Sequence, residues 1–213
     1  MEMVSQQGAA AAAAPREPAF VHLRVHSEYS IVDGLVRIDD VVEAAAQDKQ
    51  AALAMTDLSN LFGMVKFYKA ARGKGVKPVV GCDVWISNDD NRDKPSRLLL
   101  LAKNRIGYLQ LCELLSKAWL ENQHKGRAEI RAEWLQALAG TEAPLLPGVS
   151  PANGLIVLSG AHFGDVGIAI ENGNLALAER NAQRWAALFP GHFYIEIQRG
   201  GQPNQERQVR QSV

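Results

Sequence analysis

Cysteine is nearly missing from this chain. Cys82 and Cys112 are the only two in 213 residues, too few for a disulfide framework and in keeping with a compartment where thiols stay free. A charge of one sign is missing too. Lys plus Arg number 23 and Asp plus Glu number 23, so no overall field draws the chain to a phosphate backbone, and a direct grip on nucleic acid is not expected. No window approaches the roughly 18 to 20 strongly apolar residues that cross a bilayer, so no membrane partner is expected. Neither G-x-G-x-x-G nor G-x-x-x-x-G-K-[ST] occurs, and nucleotide-binding readings lose ground accordingly. The first nineteen residues set an alanine run between polar and proline-containing flanks with no basic segment before it. Residues 1–19 therefore read as a disordered tail rather than a secretory signal, and the expected location is the cytoplasm.

What the sequence does have is apolar periodicity, with 47% hydrophobic residues and enough length for one sizeable core. Phe20 to Val25 alternates as a first strand should. A helix is predicted over Ile38 to Gln47, with Asp39 and Asp40 at its N-terminus, where negative charge is favoured. Strand Ala52–Met55 follows, then a helix over Leu61 to Arg72 closed by Gly73-Lys74-Gly75. The next strand spans Val79 to Trp85, the polar stretch Asn88 to Ser96 is a loop, and Leu98 to Leu101 is a strand apolar on both faces. A long helix from Ile106 to Leu120 presents Leu109, Cys112, Leu115 and Trp119 along one stripe. Beyond it come a short helix at Ala132 to Leu138, a Pro- and Gly-containing loop over Thr141 to Asn153, a strand at Leu155 to Leu158, a helix at Ala176 to Phe189 and a strand at Phe193 to Ile197. Trp119, Trp134 and Trp185 fall on helical stripes as core or docking residues. Repeated strand-then-helix units predict an α/β fold with a parallel sheet, either a barrel or a doubly wound sheet. The chain stops on a polar helical run, Gln205 to Val213, with no strand after it, which reads as a fragment whose sheet is left open.

Six stretches carry a more specific message when taken in order. They are Phe20 to Gly34 with its Arg24-Val25-His26 and Asp33, Ala52 to Asp57 with Asn60 to Gly63, Lys77 to Asp83, Leu100 to Asn104, and Leu155 to Asp165. Together they resemble the polymerase-and-histidinol-phosphatase (PHP) domain at the N-terminus of bacterial DNA polymerase III alpha subunits. The resemblance runs from about Phe20 to Gln205. It implies a distorted (β/α)7-type barrel, here incomplete, with a domain over 20–213 that lacks its last strand-helix units.

In members with an intact site, the resemblance implies His and carboxylate ligands at the C-terminal strand ends. These hold two or three cations that generate hydroxide and stabilise displaced phosphate oxygens. Here Arg24 stands where the first histidine of the family's His-x-His is expected, and a guanidinium has no lone pair for a metal. Leu58 replaces an expected histidine, Asp83 a glutamate, Arg97 a histidine and Ala161 a thiol or imidazole, and the final Asp-x-His pair would lie beyond Val213. His26, Asp33 and Asp83 remain as a vestigial set. Arg24 and Arg97 are expected to pair with Asp33 and Asp83 in place of the cations. His22 reads as a structural histidine, and His124, His162 and His192 as surface or turn residues.

The resemblance further implies a structural domain that docks the proofreading exonuclease subunit and braces the remaining alpha-subunit domains, meeting DNA only through the assembled holoenzyme. The parent would be a DNA-directed DNA polymerase, a nucleotidyltransferase with Mg in its polymerase domain, and no catalytic residue or cofactor is expected in this stretch. The alternative is an active metal-dependent phosphoesterase or proofreading nuclease using Zn or Mn. A third reading is an unrelated standalone binding module.

Overall fold

The structure, a computed structural model, describes residues 20–31, 33–140, 154–199 and 209–210. The expected tail over 1–19, the loop over 141–153 and most of the polar run over 205–213 lie outside the described residues. A first layer forms from α1 (Ile38–Gln47), β1 (Ala52–Met55) and α2 (Met64–Gly73). Ile38, Val42 and Ala45 on α1 meet Phe67 and Ala71 on α2 over Leu53 and Met55, because helical spacing of 3 or 4 gathers each set on one face. The predicted helix start at Leu61 is corrected to Met64. Asn60 accepts from the Phe62 N–H at 3.0 Å and donates to the Tyr29 and Leu58 carbonyls, so local side-chain bonding holds this stretch in a turn.

The centre is β2 (Lys77–Ile86) beside β3 (Ser96–Ala102). A short hairpin of β4 (Gln123–His124) and β5 (Arg127–Ile130) turns at Lys125-Gly126, both at positive φ, and β6 (Leu155–Leu158) and β7 (Phe193–Tyr194) complete the set. The sheet runs β4-β5-β2-β3-β6-β7, with β1 also on β2. The expectation of an all-parallel sheet is corrected: β1, β5 and β7 pair in parallel, but β2 with β3 and β3 with β6 are antiparallel. No helix lies between Ile86 and Ser96, and without a crossover the chain returns antiparallel.

On β3 the predicted two-sided burial holds. Leu98 and Leu100 join the outer core beneath α3 (Arg105–Glu121), α4 (Ala132–Gly140), α5 (Asp165–Glu171) and α6 (Leu175–Leu188), while Leu99 and Leu101 face inward with Ala54 and Leu158. Trp185, 1% exposed, belongs to that outer core, where its Nε1 donates to the Asp165 carboxylate. The predicted stripe on α3 is corrected. Ile106, Leu111, Leu114, Leu115 and Ala118 form its buried face, whereas Leu109 and Trp119 are exposed.

Phe20 to Val25 forms an extended segment beside β1, correcting the expected regular strand. Ala54 N donates to His22 O and Thr56 N to Val25 O, both at 2.9 Å. Three residues on one side thus match two on the other, as in a bulge, and the Val25 N–H turns to the Thr56 hydroxyl. The last strand is likewise shortened to Phe193–Tyr194, because Glu196 N bonds the Ser159 hydroxyl rather than a carbonyl. Between these segments a cavity of about 750 Å3 opens onto the inner face of the sheet at Leu101, Ile156 and Leu158.

Gly107 on α3 lies directly against the Gly154 carbonyl, and a Cβ there would overlap backbone rather than a flexible side chain. Alanine is favoured over glycine by about 1 kcal/mol in a helix, but overpacking against a rigid neighbour costs about 1–3 kcal/mol. Gly107→Ala should therefore lower the urea midpoint at unchanged m-value, the reverse of the propensity effect.

Candidate functional site

Strand parity builds the site. Odd positions on β2 and β3 face inward, so Asp83, Trp85, Arg97 and Leu99 share the concave face, and register pairs Asp83 with Leu99 and Trp85 with Arg97. Asp83 is fully buried, and Leu58, just after Thr56-Asp57 in the segment that follows β1, forms a parallel bridge to it. These residues lie at one rim, with the ends of β1, β2 and β6 meeting the start of β3.

Arg24 reaches this rim from the extended segment. One terminal nitrogen contacts Asp83 Oδ2. Its Nε and other terminal nitrogen donate to the two Glu196 oxygens at 2.6 and 2.7 Å, a two-pronged fork. Burial works against the guanidinium charge, but Glu196 and Asp83 outweigh it and raise the pKa of Arg24. Arg97 Nη1 lies 3.4 Å from both Asp33 Oδ2 and Asp83 Oδ2. Its guanidinium stacks over Trp85 at 4.2 Å and Phe163 at 4.7 Å, contacts a lysine would not reproduce.

His26 completes the group. Its Nδ1 is 2.8 Å from Asp33 Oδ1. Nε2 lies 3.2 Å from Asp83 Oδ2 without an aligned hydrogen bond, a close contact that becomes a charge pair when the imidazole is protonated. Burial opposes a charged imidazole, but Asp83 and Asp33 prevail and raise the His26 pKa. With His26 protonated, three cations (Arg24, Arg97, His26) face three carboxylates (Asp33, Asp83, Glu196).

The turn that carries His26 is fixed from beneath. Asp57, 2% exposed, accepts from Ser27 N at 2.6 Å, Ser27 Oγ at 2.8 Å and Ser30 Oγ at 3.2 Å. The buried carboxylate is thus met by neutral donors, which a buried anion requires. Ala161, 1% exposed, opens a 3-10 turn at φ 49 after left-handed Gly160, and has no polar atom to offer the rim. Of the other histidines, His192 lies 2.7 Å from Lys103 Nζ and His124 pairs with Asp93 at 2.8 Å, while His22 stacks edge-on with Phe20.

Sequence reasoning missed Glu196 and the Arg97 stack. Glu196 is 172 positions from Arg24. Its one signal was a carboxylate closing the apolar run Phe193-Tyr194-Ile195, at a strand end where the fold places its rim.

A PHP domain family model matches residues 22–200. The chain belongs to the PHP domain family. It is 45% identical over 196 residues to DNA polymerase III subunit alpha of Pseudomonas fluorescens, a match covering 92% of this chain and 16% of that one. It is 39% identical over 197 residues to the same subunit of Escherichia coli K12, again covering 92% and 16%. The chain thus spans about one sixth of the length of these relatives. An amidohydrolase from Chromobacterium violaceum, solved with bound sulfate and no metal, shares the fold at a TM-score of 0.50 and 16% identity, over 90% of this chain and 82% of that one. Among the described residues the mixed sheet does not close on itself.

The residues present fit a multinuclear metal centre poorly. Asp83 Oδ1 and His26 Nε2 are buried without hydrogen-bond partners, but Asp83 is already engaged by Arg24 and flanked by Arg97. A dication would have to bind beside two guanidinium charges. Among the described residues no group of three or more His, Cys, Asp and Glu side chains is placed to hold a metal ion.

Two predictions follow from this PHP rim. Arg24→Ala leaves Glu196 without its cation and Asp83 with only Arg97 and His26 beside it, and should cost about 3–5 kcal/mol, read from chemical unfolding, with Arg24→Lys intermediate because one ammonium cannot fork to both carboxylates. Because the folded His26 pKa is raised, its contribution to stability is full below its ordinary value of about 6.5 and is lost as pH rises through the folded value. Melting across that window should show a decline that His26→Gln flattens.

Proposed function

We propose that this PHP domain is the N-terminal portion of a replicative DNA polymerase III alpha subunit, serving as a structural and exonuclease-docking domain with a vestigial metal site. One observation carries the reading: Arg24, at the position where the resemblance expects the first histidine ligand, ties Asp83 to Glu196. A guanidinium keeps its proton and offers no lone pair, so it holds carboxylates together without generating a hydroxide nucleophile. The 37–45% identity to alpha subunits supports the assignment to replication, and with it a cytoplasmic location. No described helix is long and apolar enough to cross a membrane. Partners under this reading are the exonuclease subunit and the other alpha-subunit domains, with DNA reached through them.

Elemental analysis of the purified chain after incubation with zinc and manganese tests the reading. The expected result is substoichiometric metal, no hydrolysis of p-nitrophenyl phosphate, and retention of the exonuclease subunit in a pull-down. Stoichiometric metal with phosphatase activity abolished by His26→Ala would move the assignment to a metal-dependent phosphoesterase. Failure to retain the exonuclease would remove the docking role and leave the structural one.

A further inference from the structure

Helix α3 buries one apolar face, and among the described residues its outward face is exposed and mixed, with Glu113 one turn from Leu109. Its outward face carries Leu109, Trp119 and Leu120, which are 46%, 39% and 83% exposed. Large apolar side chains left exposed together on one side of a helix mark an interaction surface. Two cavities lie in series along it. One, of about 650 Å3, sits between α2 and the start of α3 and is bordered by Tyr68, Lys69, Arg105 and Tyr108. The other, of about 510 Å3, lies between the turn at Ser59 to Phe62 and the second half of α3, against Cys112 and Trp119. Arg105, Tyr108, Cys112, Ser116 and Trp119 recur at intervals of 3 or 4, so both cavities open on one side of a helix. Its 17 residues give the groove a length of about 25 Å.

Charge decides what fits. No Asp or Glu lines either cavity. Lys69 and Arg105 are exposed at one end and, among the described residues, make no ion pair or side-chain hydrogen bond. The rest of the lining is apolar or aromatic for the most part, and lacks the run of cations that tracks a nucleic-acid backbone. Trp119 is held by a 2.8 Å bond from its Nε1 to the Ser59 carbonyl, which gives a partner a rigid aromatic anchor.

We infer that this groove docks an amphipathic segment of a protein partner, apolar along its length and acidic at the end that meets Lys69 and Arg105. The groove shares no lining residue with the Arg24 cluster, and the inference stands independently of what that cluster does.

Fluorescence anisotropy on the 213-residue chain tests it with three labelled probes: a short Leu-Glu repeat peptide, its Leu-Lys counterpart and oligothymidylate. The acidic peptide should bind about ten-fold more tightly than the basic one. Lys69→Glu with Arg105→Glu should invert that preference, and Leu120→Asp should weaken both peptides. Among the described residues neither cation has a partner to lose, so melting of the double variant should match the parent, and an inverted preference is not a result that misfolding produces. The inference fails if the acidic peptide does not bind, if charge reversal leaves its affinity unchanged, or if oligothymidylate binds more tightly than either peptide.

Discussion

The contact of Arg24 with Asp83 and Glu196 is the constraint on which the rim depends. Arg24 belongs to an extended segment held to β1 by two backbone bonds. Asp83 lies in the middle of the sheet, and Glu196 just past its far edge. One planar guanidinium therefore ties three separate parts of the chain, across a cavity that the sheet leaves open. Arginine suits this position better than lysine, because its fork can satisfy one carboxylate in two-pronged fashion while a third nitrogen reaches another. Its counter-charges are buried with it, so each member depends on the others.

The rim could not hold this arrangement if its supports were loose. The Ser27, Ser30 and Asp57 knot anchors the turn before Asp33 to the end of β1, and the Leu58 N–H bonds the Ser30 hydroxyl from the other side at 2.8 Å. Arg97 is pressed between Trp85 and Phe163, with its backbone carbonyl against Gly160 and Gly164. Glycine is required at Gly160 twice over. Its φ is +77, and a Cβ would also meet the Arg97 carbonyl. The same glycine turn thereby sets both the 3-10 turn carrying Phe163 and the place of the arginine it stacks on.

Much of this was legible in the residues. The bounds of α1, β1 and β6 match the sequence pattern, because each is an apolar run or stripe ended by polar or turn residues. Strand direction was not legible, since Leu98 to Leu101 looks the same read either way along the sheet. The helix-free stretch between Ile86 and Ser96 was the available clue. The β4 and β5 hairpin escaped because it is short and polar, though Lys125-Gly126 is the kind of pair that tolerates two positive φ values. Helix α5 is only seven residues long and contains Gly167, so it left little periodic signal. The stripe on α3 was assigned to the wrong face for a different reason: two apolar stripes compete there, and sequence alone does not say which one meets the sheet.

Replacing cations with guanidinium groups changes what a carboxylate cluster can be. A bound dication demands lone pairs from every neighbour and leaves an open position for water; that combination is what makes it reactive. A guanidinium supplies a single positive charge spread over a plane and satisfies carboxylates through N–H bonds in fixed directions. Two of them with a protonated His26 match the charge of Asp33, Asp83 and Glu196. The match is directional as well as electrostatic, since Arg97 also needs its aromatic neighbours and Arg24 its fork. Such a cluster ties its carboxylates together, and its guanidinium groups offer no lone pair to a metal. On the scaffolding reading, selection then acts on the shape of the rim, and the residues to watch are those that fix both arginines: Glu196, Trp85 and Phe163 alongside Asp33 and Asp83.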